Sequence, residues 1–248
     1  MNNLIGIKSI CSDIVLTNPD FYKKLPDLFG KYTSHKDLVI SMLMVLQNIL
    51  KFAEPRHMRD LIESGLCEWL IEVYLEWKGD EDVIRQFLFT ISEITSYSSF
   101  WERMESYELS SDIFSKLPEY KRDLMGPCLN CLYFLSKLPK VSNRMVANKE
   151  YDVLDRMYKD RKLADSQVIL LLLTMSNLVS NKVNQTLLNE DDFHLKLEQY
   201  YAKILKIDLE THNAKKLYLV WANIMTKLTN SSKVCNYVAE HMATKIFQ

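Results

Sequence analysis

The chain has 248 residues, 48% of them hydrophobic, and its 31 basic and 32 acidic residues leave a formal net charge of −1. This balance gives no overall electrostatic attraction to nucleic acid or to an anionic membrane, so we expect neither as a partner. Only 5 glycines and 6 prolines occur, which argues against a hairpin-rich β fold and against glycine-rich phosphate-binding loops.

Hydrophobic periodicity divides the chain into consecutive helical units of about forty residues. Terminal units often diverge from the others because one of their faces meets water. The expected boundaries are 1–18 for an N-terminal cap, 19–54 for a two-helix unit, 55–98, 99–140, 141–182 and 183–230 for further repeats, and 231–248 for a closing helix. No low-complexity linker interrupts them, so we expect a single domain.

The unit at 55–98 has the most complete pattern. A short helix is expected to begin at Pro55 and to close at Gly65, which can adopt the left-handed backbone conformation. A second helix with apolar residues at helical spacing follows, and the polar segment 78–80 ends it. A third helix is expected to begin near Asp82.

The later units lack a glycine at the matching junctions, which read 148–151 and 189–192. Asparagine also tolerates the left-handed conformation, so Asn148 and Asn189 are the expected capping residues. Gly126 and Pro127 are expected to mark a helix start, because proline is tolerated in a first turn.

A four-residue motif recurs at the ends of the long apolar runs. Segments 46–49, 175–178 and 221–224 each hold two apolar residues three positions apart, with asparagine just before the last. Related segments carry another residue at that position. The keyed positions are 13, 48, 93, 137, 177 and 223, and their successive differences are 35, 45, 44, 40 and 46. A degenerate period near forty residues is typical of an α-solenoid.

These features resemble the armadillo-repeat family. Segment 61–66 is similar to the family's junction between its first and second helices, and Asn48, Asn177 and Asn223 match its inner-helix asparagine. The resemblance implies an all-α, right-handed armadillo-like superhelix of about five to six helical repeats. It also implies a non-enzymatic scaffold or adaptor, without a cofactor, whose third helices line a concave face that binds another protein.

The asparagine amide carries both a donor and an acceptor, so it can hold an extended peptide by its backbone. Residues four and seven positions earlier share the same helix face. The candidate partner-binding residues on these faces are Asn48, Asn177, Asn223, Met44, Phe89, Glu93, Tyr133, Lys137 and Leu219. The alternative role for the asparagines is hydrogen bonding between neighbouring helices.

One subclass of the family fits poorly. Nuclear-import receptors place a tryptophan one turn before the asparagine, where this chain has Met44, Leu173 and Leu219. Glu93 and Lys137 also break the asparagine series at its centre. Both departures argue against binding of a nuclear-localisation peptide. Lys137 and its basic neighbours could instead receive an acidic segment or a phosphate group, or form an ordinary solvated face.

Three further functions remain open. A chaperone cofactor or complex-assembly factor would clamp a folded domain through both ends of the repeat array. An enzyme would need a pocket that gathers histidine or cysteine with carboxylates. Homodimerisation would use the closing helix, whose Tyr237, Met242, Ile246 and Phe247 form an apolar patch if exposed.

The candidate chemical motifs favour structural roles. Cys128 and Cys131 form a C-x-x-C pair, but zinc needs about four ligands and no second pair exists. Their spacing places both thiols on one helical face, where cysteine packs as a small apolar residue. We therefore expect no metal. The acidic groups 81–82 and 190–192 fall where helices are expected to begin and favour the helix dipole.

The start of the chain, 1–16, lacks the basic region of a signal peptide. The longest apolar run, 168–173, is too short to cross a bilayer. We therefore expect no membrane insertion and a cytoplasmic or nuclear protein with reduced cysteines.

Overall fold

The structure is a computed structural model that describes residues 21–52, 55–94, 97–160, 163–204, 212–229, 232–237 and 239–240. Within these ranges all regular secondary structure is helical, which confirms the predicted all-α class. Contacts between Cα atoms divide the chain into two compact units, Met1–Tyr107 and Glu108–Gln248. The predicted N-terminal cap lies outside the described residues.

The first unit contains the two-helix segment and the most regular repeat predicted from the sequence. Its helices are α1 (Phe21–Gly30), α2 (Lys36–Phe52), α3 (Pro55–Leu61), α4 (Cys67–Trp77), α5 (Glu81–Ile91) and α6 (Ser98–Glu105), with a wide helical turn over Ile62–Leu66 between α3 and α4.

The second unit continues the alternation of short and long helices. Its helices are α7 (Leu109–Lys116), α8 (Met125–Leu135), α9 (Pro139–Ala147), α10 (Tyr151–Asp160), α11 (Asp165–Leu178), α12 (Lys182–Glu190), α13 (Phe193–Ile204), α14 (His212–Leu228) and α15 (Ser232–Tyr237). Pro127 lies in the first turn of α8, as predicted. Of the predicted dimerisation patch, Met242, Ile246 and Phe247 lie outside the described residues.

Local hydrogen bonds explain where α5 begins. The Asp80 carboxylate accepts from the backbone N–H groups of Asp82 at 3.1 Å and Val83 at 3.2 Å, so it satisfies donors that the helix itself leaves unpaired. The Lys36 ammonium lies 2.8 Å from the same carboxylate and ties the start of α2 to the start of α5. The helix therefore begins at Glu81, one residue before the predicted position.

A left-handed residue marks the junction before each second helix. Among the described residues, those with positive φ are Gly65 at 102°, Glu108 at 61°, Lys149 at 54° and Asp192 at 53°. Successive members of this series are 43, 41 and 43 residues apart. This spacing is an independent sign of the repeat. The prediction was correct for glycine but wrong for the asparagines, because the chain reverses after Asn148 and Asn189 rather than at them.

The acidic group at 190–192 was also placed only partly correctly. Glu190 is the last residue of α12, while the next two residues form the junction that precedes α13. The pair at 81–82 does occupy the first turn of α5, as predicted. Two acidic residues of the later group therefore lie in the turn between α12 and α13, and one of them forms the contacts described below.

Buried aromatic side chains fill the interior of both units. In the first, the rings of Phe29 and Trp69 have centroids 4.7 Å apart, and the Trp101 indole donates to the Ile94 carbonyl at 3.1 Å. In the second, the rings of Tyr158 and Tyr200 stack with their centroids 3.9 Å apart. Each such ring removes a large apolar area from water, which is the main force that stabilises a helical array.

The third helices pack directly against one another within each unit. In the first unit α2 packs on α5, and in the second α8 packs on α11 and α11 on α14. Equivalent faces of successive repeats therefore lie side by side. This arrangement brings together residues that are about forty positions apart in the sequence.

Candidate partner-binding surface

The candidate residues of α2 differ in exposure. Met44 has half of its side chain in water, at 51% exposure. Asn48 is half-buried, and its amide donates to the Met44 carbonyl one turn earlier at 3.0 Å. The Asn48 amide therefore bonds within its own helix and does not bridge to α5 through that contact.

Other polar side chains connect α2 to α5. The Thr90 hydroxyl donates to the Leu43 carbonyl at 3.1 Å, and the Gln86 amide donates to the Gln47 side chain at 3.0 Å. The sequence prediction did not assign these bridging roles. The candidates Phe89 and Glu93 are half-buried beside them, at the end of α5.

The candidates of α8 form a local pair. Tyr133 is half-buried and Lys137 is exposed in the turn that follows the helix. The Lys137 ammonium lies 4.2 Å from the centroid of the Tyr133 ring and 4.5 Å from that of Phe134. A cation above an aromatic face is attracted by the ring quadrupole, so the ammonium is held at the surface beside the end of α8.

Asn177 bridges α11 to the end of α8. Its amide donates to the Tyr133 carbonyl at 3.2 Å and to the Ser136 hydroxyl at 2.8 Å. Ser136 in turn donates to the Tyr133 carbonyl at 2.8 Å. The half-buried Asn177 thus makes the interhelical contact that the sequence left as the alternative to ligand binding.

The candidates of α14 are the most accessible. Leu219 is 66% exposed, and Asn223 is also exposed, one turn later. The Asn223 amide makes a long contact, 3.4 Å, to the Ser176 hydroxyl of α11. Residues of the same type at equivalent positions therefore have different surroundings.

A cavity of about 420 Å³ lies in the second unit beside two of the candidates. Its lining residues are Ser136, Lys137, Pro139, Ser142, Asn177, Ser180 and Asn181. The Lys227 ammonium of α14 reaches the rim, 3.0 Å from the Ser180 hydroxyl. The cavity therefore lies where α8 and α11 end and where α9 and α12 begin, and no acidic side chain lines it.

A second polar cluster connects successive junctions of the same unit. Asp191 accepts from the Lys149 ammonium at 2.7 Å and also from the Tyr151 hydroxyl. The hydrogen bond from Lys149, followed by that from Tyr151, lowers the pKa of Asp191 below its ordinary value. This cluster stabilises the contact between neighbouring repeats.

Neither a protein-family model nor a curated protein matches the chain. Solved structures do match. A designed armadillo repeat protein in complex with peptide (KR)4 aligns with a TM-score of 0.64 at 13% identity, over 91% of each chain. The chain has an armadillo-like fold. An engineered protein aligns with a TM-score of 0.65 at 12% identity, over 90% of this chain and 89% of that chain. A second designed armadillo repeat protein aligns with a TM-score of 0.59 at 12% identity, over 90% of this chain and 99% of that chain.

The armadillo-like fold gives the cysteine pair a structural position. Cys128 and Cys131 are fully buried on α8. Burial raises the pKa of Cys128 to about 12 and holds that of Cys131 well above its ordinary value. Both thiols therefore stay protonated at neutral pH, and a protonated thiol is neither a nucleophile nor a metal ligand.

No helix among the described residues of this armadillo-like fold has both the length and the apolar character needed to cross a membrane. Within the same ranges, no three histidine, cysteine or carboxylate side chains form a group that could hold a metal ion.

Proposed function

We propose that this protein is a non-enzymatic interaction scaffold that binds a segment of a partner protein on its third helices. The carrying observation is the exposure of large apolar side chains there, 51% for Met44 and 66% for Leu219. Each lies one turn before an asparagine, Asn48 and Asn223 respectively. An exposed apolar side chain beside an amide suits a peptide, because it offers contacts to a side chain and to the backbone.

The remaining candidates support the third-helix faces of the two units in two ways. Phe89, Tyr133 and the Glu93 carboxylate are half-buried at helix ends and add partial contact area. Asn177 holds α8 and α11 together through its two hydrogen bonds. In this proposal Asn223 contacts the partner directly, whereas Asn177 keeps the neighbouring helices in place.

A solved structure of the same fold supports a peptide as the type of ligand. The designed armadillo repeat protein described above is in complex with a short peptide. That fact concerns the designed protein, and its peptide sequence is not transferred to this chain. It shows that an armadillo fold can hold a peptide.

The test compares captured partners between matched variants. Wild-type protein and a Leu219→Ser, Asn223→Ala double variant would be immobilised and exposed to native lysate, and the captured proteins quantified by mass spectrometry. Leu195→Ser is the control, because Leu195 is also an exposed leucine of the second unit, at 43%, but lies on the second helix α13. All proteins must show equal melting temperatures.

The proposal expects the double variant to lose at least one specific partner that the Leu195→Ser control retains. Retention of every partner by the double variant would refute a binding role for α14. Loss of partners only in the control would move the interaction to the second helices.

A further inference from the structure

The acidic residues of the second unit are unevenly distributed along the chain. Segments 124–149, 166–189 and 211–239 contain no aspartate or glutamate but nine lysines and arginines. Together they span 79 residues. With 32 acidic residues in the 248 of the chain, about ten would be expected in a stretch of this length. These segments include the third helices α8 and α14 and the short helix α9, together with α11 except for Asp165 at its start and α12 except for Glu190 at its end.

Most acidic residues of this unit lie elsewhere in the repeat. The second helices α7, α10 and α13 and the segments beside them carry these residues, as at Asp112, Asp152 and Glu198, whereas Asp165 and Glu190 lie at the ends of α11 and α12. The third-helix side of this unit therefore carries more positive than negative charge, and its cations lie on α14, on the short helices and in the turns, since α8 and α11 hold no lysine or arginine. Because a low-dielectric surface of one charge sign attracts the opposite sign, this side favours an anionic ligand.

The cavity described above lies within this basic side. The Lys137 ammonium, held over the rings of Tyr133 and Phe134, lines it directly, and the Lys227 ammonium reaches its rim. Several lining hydroxyls already donate to helix carbonyls, such as Ser142 to Pro139 at 3.1 Å. The ammonium groups are therefore the main attraction for an anion, and the hydroxyl and amide groups provide a polar lining.

We propose that the third-helix side of the second unit binds an acidic protein segment and that the cavity beside Lys137 receives one of its carboxylates. This inference rests on the proposed scaffold function and specifies the chemistry of the partner. The exposed cations of the third helices are lysines, including Lys215 and Lys216, whereas Arg144 bonds the Ser110 hydroxyl within the protein. Nucleic-acid recognition favours arginine, so an acidic polypeptide fits this surface better.

The experiment uses two labelled peptides of opposite charge, (DE)4 and (KR)4, titrated with the full chain in fluorescence anisotropy. We expect (DE)4 to bind, with an affinity that falls as salt is added, and (KR)4 not to bind. Lys137→Glu should raise the Kd for (DE)4 by about three- to tenfold, the scale expected for losing and reversing one exposed ion pair.

A matched control separates a local contact from net charge. Lys121→Glu makes the same charge change, but Lys121 is an exposed residue that precedes α8, whereas Lys137 follows it. We expect the Kd for (DE)4 to stay within about twofold of wild type, because a residue about 16 Å away along the helix is screened in salt. Equal effects of the two substitutions would overturn the assignment to the cavity.

Three other outcomes would overturn the inference. They are binding of (KR)4 as tight as that of (DE)4, no binding of (DE)4, and tighter binding of an eight-nucleotide oligothymidylate than of (DE)4. If (DE)4 fails while the Leu219→Ser, Asn223→Ala variant still loses a captured partner, the acidic chemistry is wrong and the scaffold function stands. If that variant loses nothing, the scaffold function itself fails.

Discussion

Replacing Asn177 separates the structural role of the repeated asparagines from their binding role. Asn177→Ala removes two hydrogen bonds, at 3.2 Å to the Tyr133 carbonyl and 2.8 Å to the Ser136 hydroxyl. A net protein hydrogen bond contributes about 0.5–1.5 kcal/mol. Tyr133 keeps its bond from Ser136, and the half-buried site admits water, so we expect a loss of about 1–2 kcal/mol in the free energy of unfolding.

The measurement is urea denaturation followed by circular dichroism, with Asn223→Ala as the comparison. The Asn223 amide is exposed and makes a long contact of 3.4 Å, so its removal should change the free energy by less than about 0.5 kcal/mol. A double-mutant cycle that combines Asn177→Ala with Ser136→Ala isolates the interaction between these two side chains. We expect a coupling free energy of about 0.5–1 kcal/mol.

The reasoning fails if Asn177→Ala and Asn223→Ala destabilise the protein equally. It also fails if the cycle gives no coupling between Asn177 and Ser136, because the loss would then not come from the bond between them. Either result would mean that hydrogen-bond geometry at the third helices does not separate supporting residues from exposed ones.

Three further predictions address the junctions and the core. Gly65→Ala should destabilise the protein by about 1–2 kcal/mol in urea denaturation, because φ is 102° there, whereas Gly79→Ala, with open space around the added methyl, should have a smaller effect. The folded state lowers the pKa of Asp191. The ionised carboxylate therefore stabilises the fold above its unfolded-state pKa of about 3.9, and this stabilisation is lost as pH falls below that value. Between pH 3 and 6, the melting temperature of Asp191→Asn should therefore fall less with acid than that of the wild type. In native protein, iodoacetamide should modify the exposed Cys235 but not the buried Cys131, as mass spectrometry of digests would show; fast native labelling of Cys131 would contradict its burial.

The sequence predicted the repeat because its signal is physical and local. Apolar residues at helical spacing have to be buried, and Gly65 is the residue best suited to a left-handed junction. The equivalent junctions at Glu108, Lys149 and Asp192 gave no such signal. A non-glycine residue adopts this conformation at a cost of about 1–2 kcal/mol, which surrounding contacts can offset and which no single-residue preference reveals.

The roles of the candidate site residues were less predictable. Asn48, Asn177 and Asn223 occupy the same keyed position, yet their amides have different partners. The Asn48 amide bonds to a carbonyl of its own helix, and the Asn177 amide bonds to the preceding repeat. The Asn223 amide makes a long contact to the Ser176 hydroxyl. The difference depends on neighbours some forty residues away, such as Ser136. A serine directly before the keyed position also occurs at Ser92, and it is the one sequence signal that could have indicated side-chain bonding at these helix ends.

The even spacing of the left-handed residues makes the chain suitable for recombination. A segment cut at Lys149 and rejoined at Asp192 carries one second helix, one third helix and the following short helix, each of unchanged length. Contacts in such arrays are mainly between nearest neighbours. Replacing the segment between these two points with one from another armadillo-like protein would therefore change the binding surface of one repeat and keep the backbones of the flanking repeats. Duplicating the segment would lengthen the chain by one whole repeat.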